Sequence, residues 1–141
     1  MSSPASEIAA LLNDSRFGLL LAGPSATTGN LFVSRLPESP DAAVAVKDSP
    51  SLPPLANLSR TANWERPGVQ IIVRGARGDY ETAWALACLI ARTFHQKMTW
   101  TAQCGDVYKG CFLASSPLYL GHDDRERPLF SLNFNLAVAW A

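Results

Sequence analysis

Two histidines, His95 and His122, and three cysteines, Cys88, Cys104 and Cys111, are the side chains here whose chemistry reaches furthest beyond packing. Common zinc sites pair them at C-x-x-C or H-x-x-x-H spacing, so that two ligands share one turn of chain. Neither spacing occurs. Cys88 and His95 lie seven positions apart, on one side of a helix but two turns distant. Cys104 and Cys111 have six residues between them. An odd number of thiols without ligand spacing predicts free cysteines and no metal site. A cysteine hydrolase would need a thiolate beside a histidine oriented by a third group, and nothing marks such a trio. Asp123 and Asp124 could imitate an acid or cation site, but Arg125 and Arg127 follow at once, and the run His122–Arg127 reads as a solvated charged turn. Gly75-Ala76-Arg77-Gly78 ahead of a helix could receive an anion, yet Asp79 would repel it. There is no G-x-G-x-x-G, no Walker A sequence, and no interleaving of basic with aromatic residues. The sequence therefore assigns no catalytic, cofactor-binding or metal-ligating residue, and it predicts no cofactor.

The elements that position these residues follow from periodicity. Pro4 to Asn13 predicts a short helix, with Ser6 as N-cap and Ile8, Ala9, Leu11 and Leu12 as its apolar stripe. Phe17 to Ala22 is apolar but ambiguous. Asn30 to Leu36 and Ala42 to Lys47 predict strands, joined by the two-proline turn Pro37 to Asp41. Val69 to Arg74 is a third strand. Asp79 then caps the clearest helix, to about Lys97, with Tyr80, Ala83, Trp84, Ala87, Ile90, Ala91, Phe94 and Met98 on one face. His95 reads as part of its C-terminal cap, and Leu89 points out of its polar side. Val107 to Ser115 is a strand, extended by Leu118 to Leu120. The last strand alternates cleanly: Phe130, Leu132, Phe134, Leu136, Val138 and Trp140 face one way, Ser131, Asn133 and Asn135 the other. Between Asp48 and Gly68 no period emerges. Six of the ten prolines fall between Pro37 and Pro67, so this stretch predicts a long irregular loop. The expected fold is α+β: a single mixed or antiparallel sheet of about five strands with two main helices packed on it, in one domain over residues 1–141.

Composition agrees with one packed domain. Of 141 residues, 48% are hydrophobic and 17% charged, which supports a core and argues against disorder. Twelve basic and twelve acidic residues cancel, leaving no excess charge to drive nucleic-acid or membrane-surface binding. The longest apolar run, Ala83 to Ala91, is far short of the ~20 residues a spanning helix needs. No signal sequence is evident, and the expectation is a soluble protein made inside the cell. Nine of the twelve basic residues are Arg, the type favoured at protein interfaces. With little site chemistry, these features predict an assembly component. The candidate interface residues are Arg60, Trp64 and Arg66 in the proline-rich loop, Leu89 on the helix, and Arg125 and Arg127 in the charged turn; Trp and Arg dominate interface hot spots.

Three stretches carry a resemblance. They are NLFVSRLPESPD (Asn30–Asp41), ERPGVQIIVRG (Glu65–Gly75, followed by Tyr80 and Ala83) and PLYLGHDDRERPLFSLNFNLAV (Pro117–Val138). The last contains a Leu-Gly-x-Asp-x-x-x-Arg core. In order and spacing, over Leu31 to Val138, they resemble the minor capsid or tail terminator proteins of long-tailed bacteriophages. The resemblance implies a small α/β virion protein that forms a homohexameric ring on the last ring of the tail tube. That ring ends tube growth at the length set by the tape measure and offers the surface that joins the head connector. It implies the major tail tube protein, a head-completion or connector protein and the tape measure as partners, DNA only in transit through the lumen, and neither a membrane nor a reaction. Its place would be the virion, at the head–tail interface, after assembly in the host cytoplasm. The chain departs from the pattern at Lys47-Asp48-Ser49-Pro50, where a glycine-rich turn is expected. Alternatives of other classes are another connector or tail tube component and a small Cys/His enzyme.

Overall fold

The computed structural model describes residues 3–23, 28–56, 63–102 and 104–139. Helix α1 spans Pro4–Leu12 and helix α2 Tyr80–Phe94. The strands are β1 (Leu31–Val33), β2 (Ala43–Ala56), β3 (Asn63–Arg74), β4 (Lys97–Thr101), β5 (Val107–His122) and β6 (Pro128–Ala139). They form one six-stranded sheet in the order β1-β2-β3-β6-β5-β4. β1 runs parallel to β2, and the remaining pairs are antiparallel.

Alternation fixes which face of the sheet is covered. Val44 and Val46 lie opposite Val73 and Ile71, which lie opposite Phe130 and Leu132; all six are fully buried. Both helices pack on this face. α1 contributes Ile8 and Leu12 and α2 contributes Ala83, Ala87, Ile90, Ala91 and Phe94 to the same core. Phe94 meets Phe134 edge-on at 6.3 Å, and Trp84 lies 5.7 Å from Phe130. This is the packing that the C-terminal alternation predicts. Burial of each such side chain stabilises by roughly 1.5–3 kcal/mol.

The helix ends follow from capping. Asp79 accepts from the Thr82 N–H at the start of α2, and the His95 N–H donates to the Ala91 carbonyl at its end. At α1 the cap is Ser3, whose hydroxyl accepts from the Ser6 N–H. The expected cap, Ser6, is instead the third helical residue. Pro4 tolerates the first helical position because its missing N–H would have no helical partner there.

The irregular loop expected over 48–68 is largely strand. β2 continues to Ala56 and β3 begins at Asn63, and they pair from Ser49↔Gly68 to Ala56↔Asn63 through two register shifts, which absorb Pro50, Pro53 and Pro54. No glycine-rich turn is needed at Lys47–Pro50, because the chain does not turn there. Gly68 is required in its place: a Cβ would sit 2.5 Å from the Pro50 carbonyl oxygen. The structure also adds β4, where the sequence reading extends the helix to about Lys97. Helix α2 stops at Phe94, and Gln96 takes a positive φ of 60° that starts the return strand.

Among the described residues, no helix is long and apolar enough to cross a membrane.

Candidate assembly interface

Three features stand on this frame: a buried arginine node, an open sheet edge and a two-stranded arm.

The node is built from residues far apart in the chain. The Arg127 side chain, just ahead of β6, is 2% exposed. Its Nε donates to Asp123 Oδ2 at 2.7 Å, Nη1 to the Glu38 carbonyl at 2.7 Å and to Asp41 Oδ1 at 3.2 Å, and Nη2 to Glu38 Oε2 at 3.2 Å. Arg74, at the end of β3, donates Nε to the Asp41 carbonyl at 2.7 Å and Nη2 to the Pro37 and Pro40 carbonyls at 2.6 Å. The turn between β1 and β2 thus has its backbone acceptors satisfied by two guanidinium groups, as buried polar groups require. Asp123 closes the node by accepting the Arg125 and Arg127 N–H groups on Oδ1. Desolvation pushes the Asp123 carboxyl upward, but those N–H groups and the Arg127 guanidinium outweigh it and hold the carboxyl below its ordinary value. Burial and the neighbouring Arg127 charge lower Arg74. Asp123 and Arg127 are the acid and the base of the Leu-Gly-x-Asp-x-x-x-Arg core, so that core is a clamp. The solvated turn expected here is corrected on this point: Arg127 is interior, while Arg125, 3.4 Å from Glu38, and Arg77, 3.2 Å from Glu126, are surface pairs.

The open edge belongs to β5. β4 pairs only with Val107 to Cys111, after which Leu113 N–H donates to His95 Nδ1. Beyond that point, among the described residues, no strand flanks β5 on this side. Leu118 and Leu120 are 57% and 49% exposed there and Phe112 is 45% exposed. Tyr119 packs edge-on against Tyr80 at 5.2 Å, and its hydroxyl meets His122 Nδ1 at 2.7 Å. Trp84, Cys88 and Ala91 of α2, with His95 at its C-cap, face Leu113 and Pro117 of β5 across a shallow groove. Leu89 lies exposed on α2, as expected.

The arm is the outer half of the β2–β3 hairpin. Trp64 lies within it, half-buried, opposite Leu55 on one side and Ala139 on the other. Arg66 lies opposite Leu52. Arg60 falls outside the described residues, as does Trp140. The structure therefore places Trp64 and Arg66 on the arm, Leu89 on α2, and Arg125 and Arg127 at the node, and does not gather them at one point. Sequence reasoning missed Arg74, Glu38 and Asp41; the two-proline turn ahead of a strand was the local signal for a segment needing outside partners.

The thiols are separate from one another. Cys111 is buried in the sheet, and burial pushes its pKa up to about 12; Cys88 is half-buried and Cys104 exposed. Among the described residues no group of three or more His, Cys, Asp or Glu side chains could hold a metal ion.

Comparison with known proteins gives this geometry a family. The model of the bacteriophage tail terminator protein family matches residues 15–140, from the short 3-10 helix Ser15–Phe17 past the end of β6. In sequence, no curated protein matches the chain. In structure, the chain is similar to one described as the virion of a native gene transfer agent particle. The two share 15% identity at a TM-score of 0.57, over 77% of this chain and 78% of that one. At that identity the likeness shows the fold alone. With the family match spanning all six strands and α2, the chain belongs to the bacteriophage tail terminator family, and it is a structural protein of the virion tail.

Proposed function

We propose that this chain closes the head-proximal end of a phage tail tube as a ring of identical subunits, six in number. The ring stops tube polymerisation and presents the surface to which the head-completion or connector protein joins. The observation that carries this reading is the family match over residues 15–140. The tape measure sets the length at which capping occurs, and DNA passes through the lumen without a sequence-specific contact, in keeping with a formal net charge of zero. Assembly takes place in the host cytoplasm, and no cofactor or reaction takes part.

Capping requires one surface for the tube and another for the neighbouring subunit. The arm supplies large, directional contact groups in Trp64 and Arg66. Arg60, Leu89 and Arg125 are further contact candidates, and Arg127 acts by holding the turn that displays Glu38 and Asp41.

The test is capping itself. Major tail protein polymerising with and without this chain is examined by negative-stain microscopy. Uncapped, lengthening tubes without it, and capped tubes ending in a ring with it, are the expected pair. Trp64→Ala should melt close to wild type and cap poorly. Tubes that grow equally with and without the wild-type chain overturn the reading.

A further inference from the structure

The two long strands next to the outermost ones, β2 and β5, project past their short neighbours β1 and β4 at diagonally opposite corners of the sheet. Among the described residues, β1 flanks β2 only at Val44 to Val46, leaving its outer edge open from Lys47 onward, and β4 flanks β5 only at Val107 to Cys111. The levels follow from the register. Val46 is level with Ile71, and Ile71 with Leu132, while Leu118 lies opposite the adjacent Ser131. At the other end Leu55 is level with Trp64, Ala139 and Val107. The free part of β5 is thus level with the flanked part of β2, and the free arm of β2 is level with the flanked part of β5.

We propose that the free edge of β5, Ala114 to Gly121, receives the outer edge of the β2 arm, Lys47 to Ala56, from a second copy of this chain, so that the sheet continues across the subunit boundary. This inference rests on the ring proposed above and names its subunit contact.

Three observations select this occupant. First, β2 and β5 run antiparallel through the intervening pairs, so an arm laid on β5 pairs antiparallel and keeps the helices of both copies on the same face. Second, the edges differ in what they offer. The Ser34 N–H donates to the Val46 carbonyl and the Val44 N–H to the Asn30 carbonyl, so even-numbered residues turn their backbone groups outward along this part of β2. The next such residues include Pro50, which has no N–H, and Pro53 and Pro54 follow. Two arms would meet short of donors. Apart from Pro117, the β5 edge has its donors. Third, the β5 edge lacks the charges that normally guard an open strand: from Gly110 to Gly121 no residue is charged, and Leu118 and Leu120 are exposed there. A contact between different surfaces repeats head to tail, and the diagonal offset closes into a ring when the strands tilt to the ring axis.

The experiment uses full-length chain with Cys88→Ser and Cys104→Ser, carrying either Ser51→Cys on the arm or Ser116→Cys on the β5 edge. Both serines are exposed. Each variant alone, and the two mixed, are added to tail tubes and oxidised, after wild-type capping has been seen by microscopy. The expected result is a disulfide-linked dimer in the mixture only, and closed covalent ladders when one chain carries both substitutions. Leu118→Lys should melt as wild type and lower the ring fraction at least tenfold. A cross-link in Ser116→Cys alone means a two-fold contact of β5 edges, and one to the tube protein means that the edge docks the tube; either overturns the inference. Capped tubes without any cross-link also overturn it while leaving the capping function standing. Wild-type chain that never caps removes both.

Discussion

Arg74, at the end of β3, and Arg127, in the turn just ahead of the adjacent strand β6, grip one turn between them: Arg74 takes the carbonyls of Pro37, Pro40 and Asp41, and Arg127 takes that of Glu38. Two like charges are held this close because Asp123, Glu38 and Asp41 surround them. The turn that enters β2 is thereby fixed to the turn that leaves β5.

Removing one member of this node leaves buried charge and unsatisfied carbonyls. Arg127→Ala should destabilise by about 3–5 kcal/mol, read from urea midpoints. Arg127→Lys should recover little, since one ammonium cannot span Asp123, Asp41 and Glu38. Arg125→Ala, a surface pair, should change stability by less than about 1 kcal/mol. Equal effects for Arg125 and Arg127 would refute the clamp.

Acid should weaken the node. The Asp123 carboxyl is depressed in the folded chain, so its contribution is present above the ordinary carboxylate value, about 3.9, and is lost as pH falls through the lower folded value. Melting temperature should drop below about pH 4 more steeply in wild type than in Asp123→Asn, which has already lost the charge.

Alkali should act through Cys111. With its thiol at about 12 in the folded chain and near 8.5 when unfolded, stability should fall as pH rises from about 8.5 toward that folded value. Cys111→Ala should flatten this slope. In native buffer, a thiol reagent should label Cys104 fastest and Cys111 only on unfolding.

Phe134→Ala tests the core. It removes the ring that meets Phe94 and should destabilise by about 3–5 kcal/mol. An unchanged unfolding midpoint would remove β6 from the core.

Legibility followed the range of the interactions. β6 and α2 were readable because a period of two or of 3.6 is written in the side chains themselves. The arm was not, because Pro50, Pro53 and Pro54 erase strand signals that only β3 restores, through bulges and Gly68. β4 was hidden behind the helix period. Arg127 looked solvated beside its acidic neighbours, since two of its partners, Glu38 and Asp41, lie 89 and 86 residues away. Interface candidates were named by residue type, and type does not tell a contact from a clamp: Arg125 is a surface residue and Arg127 an interior one.

The pairing of β3 with β6 sets a timetable for synthesis. β3 is complete at Arg74, but the strand that covers its second edge begins at Pro128. Translation at roughly 5–20 residues per second leaves that edge, with Val69, Ile71 and Val73, waiting about 3–11 s on the ribosome. During that interval nascent chains on one message carry the same uncovered strand, an edge that β6 alone covers once it is made.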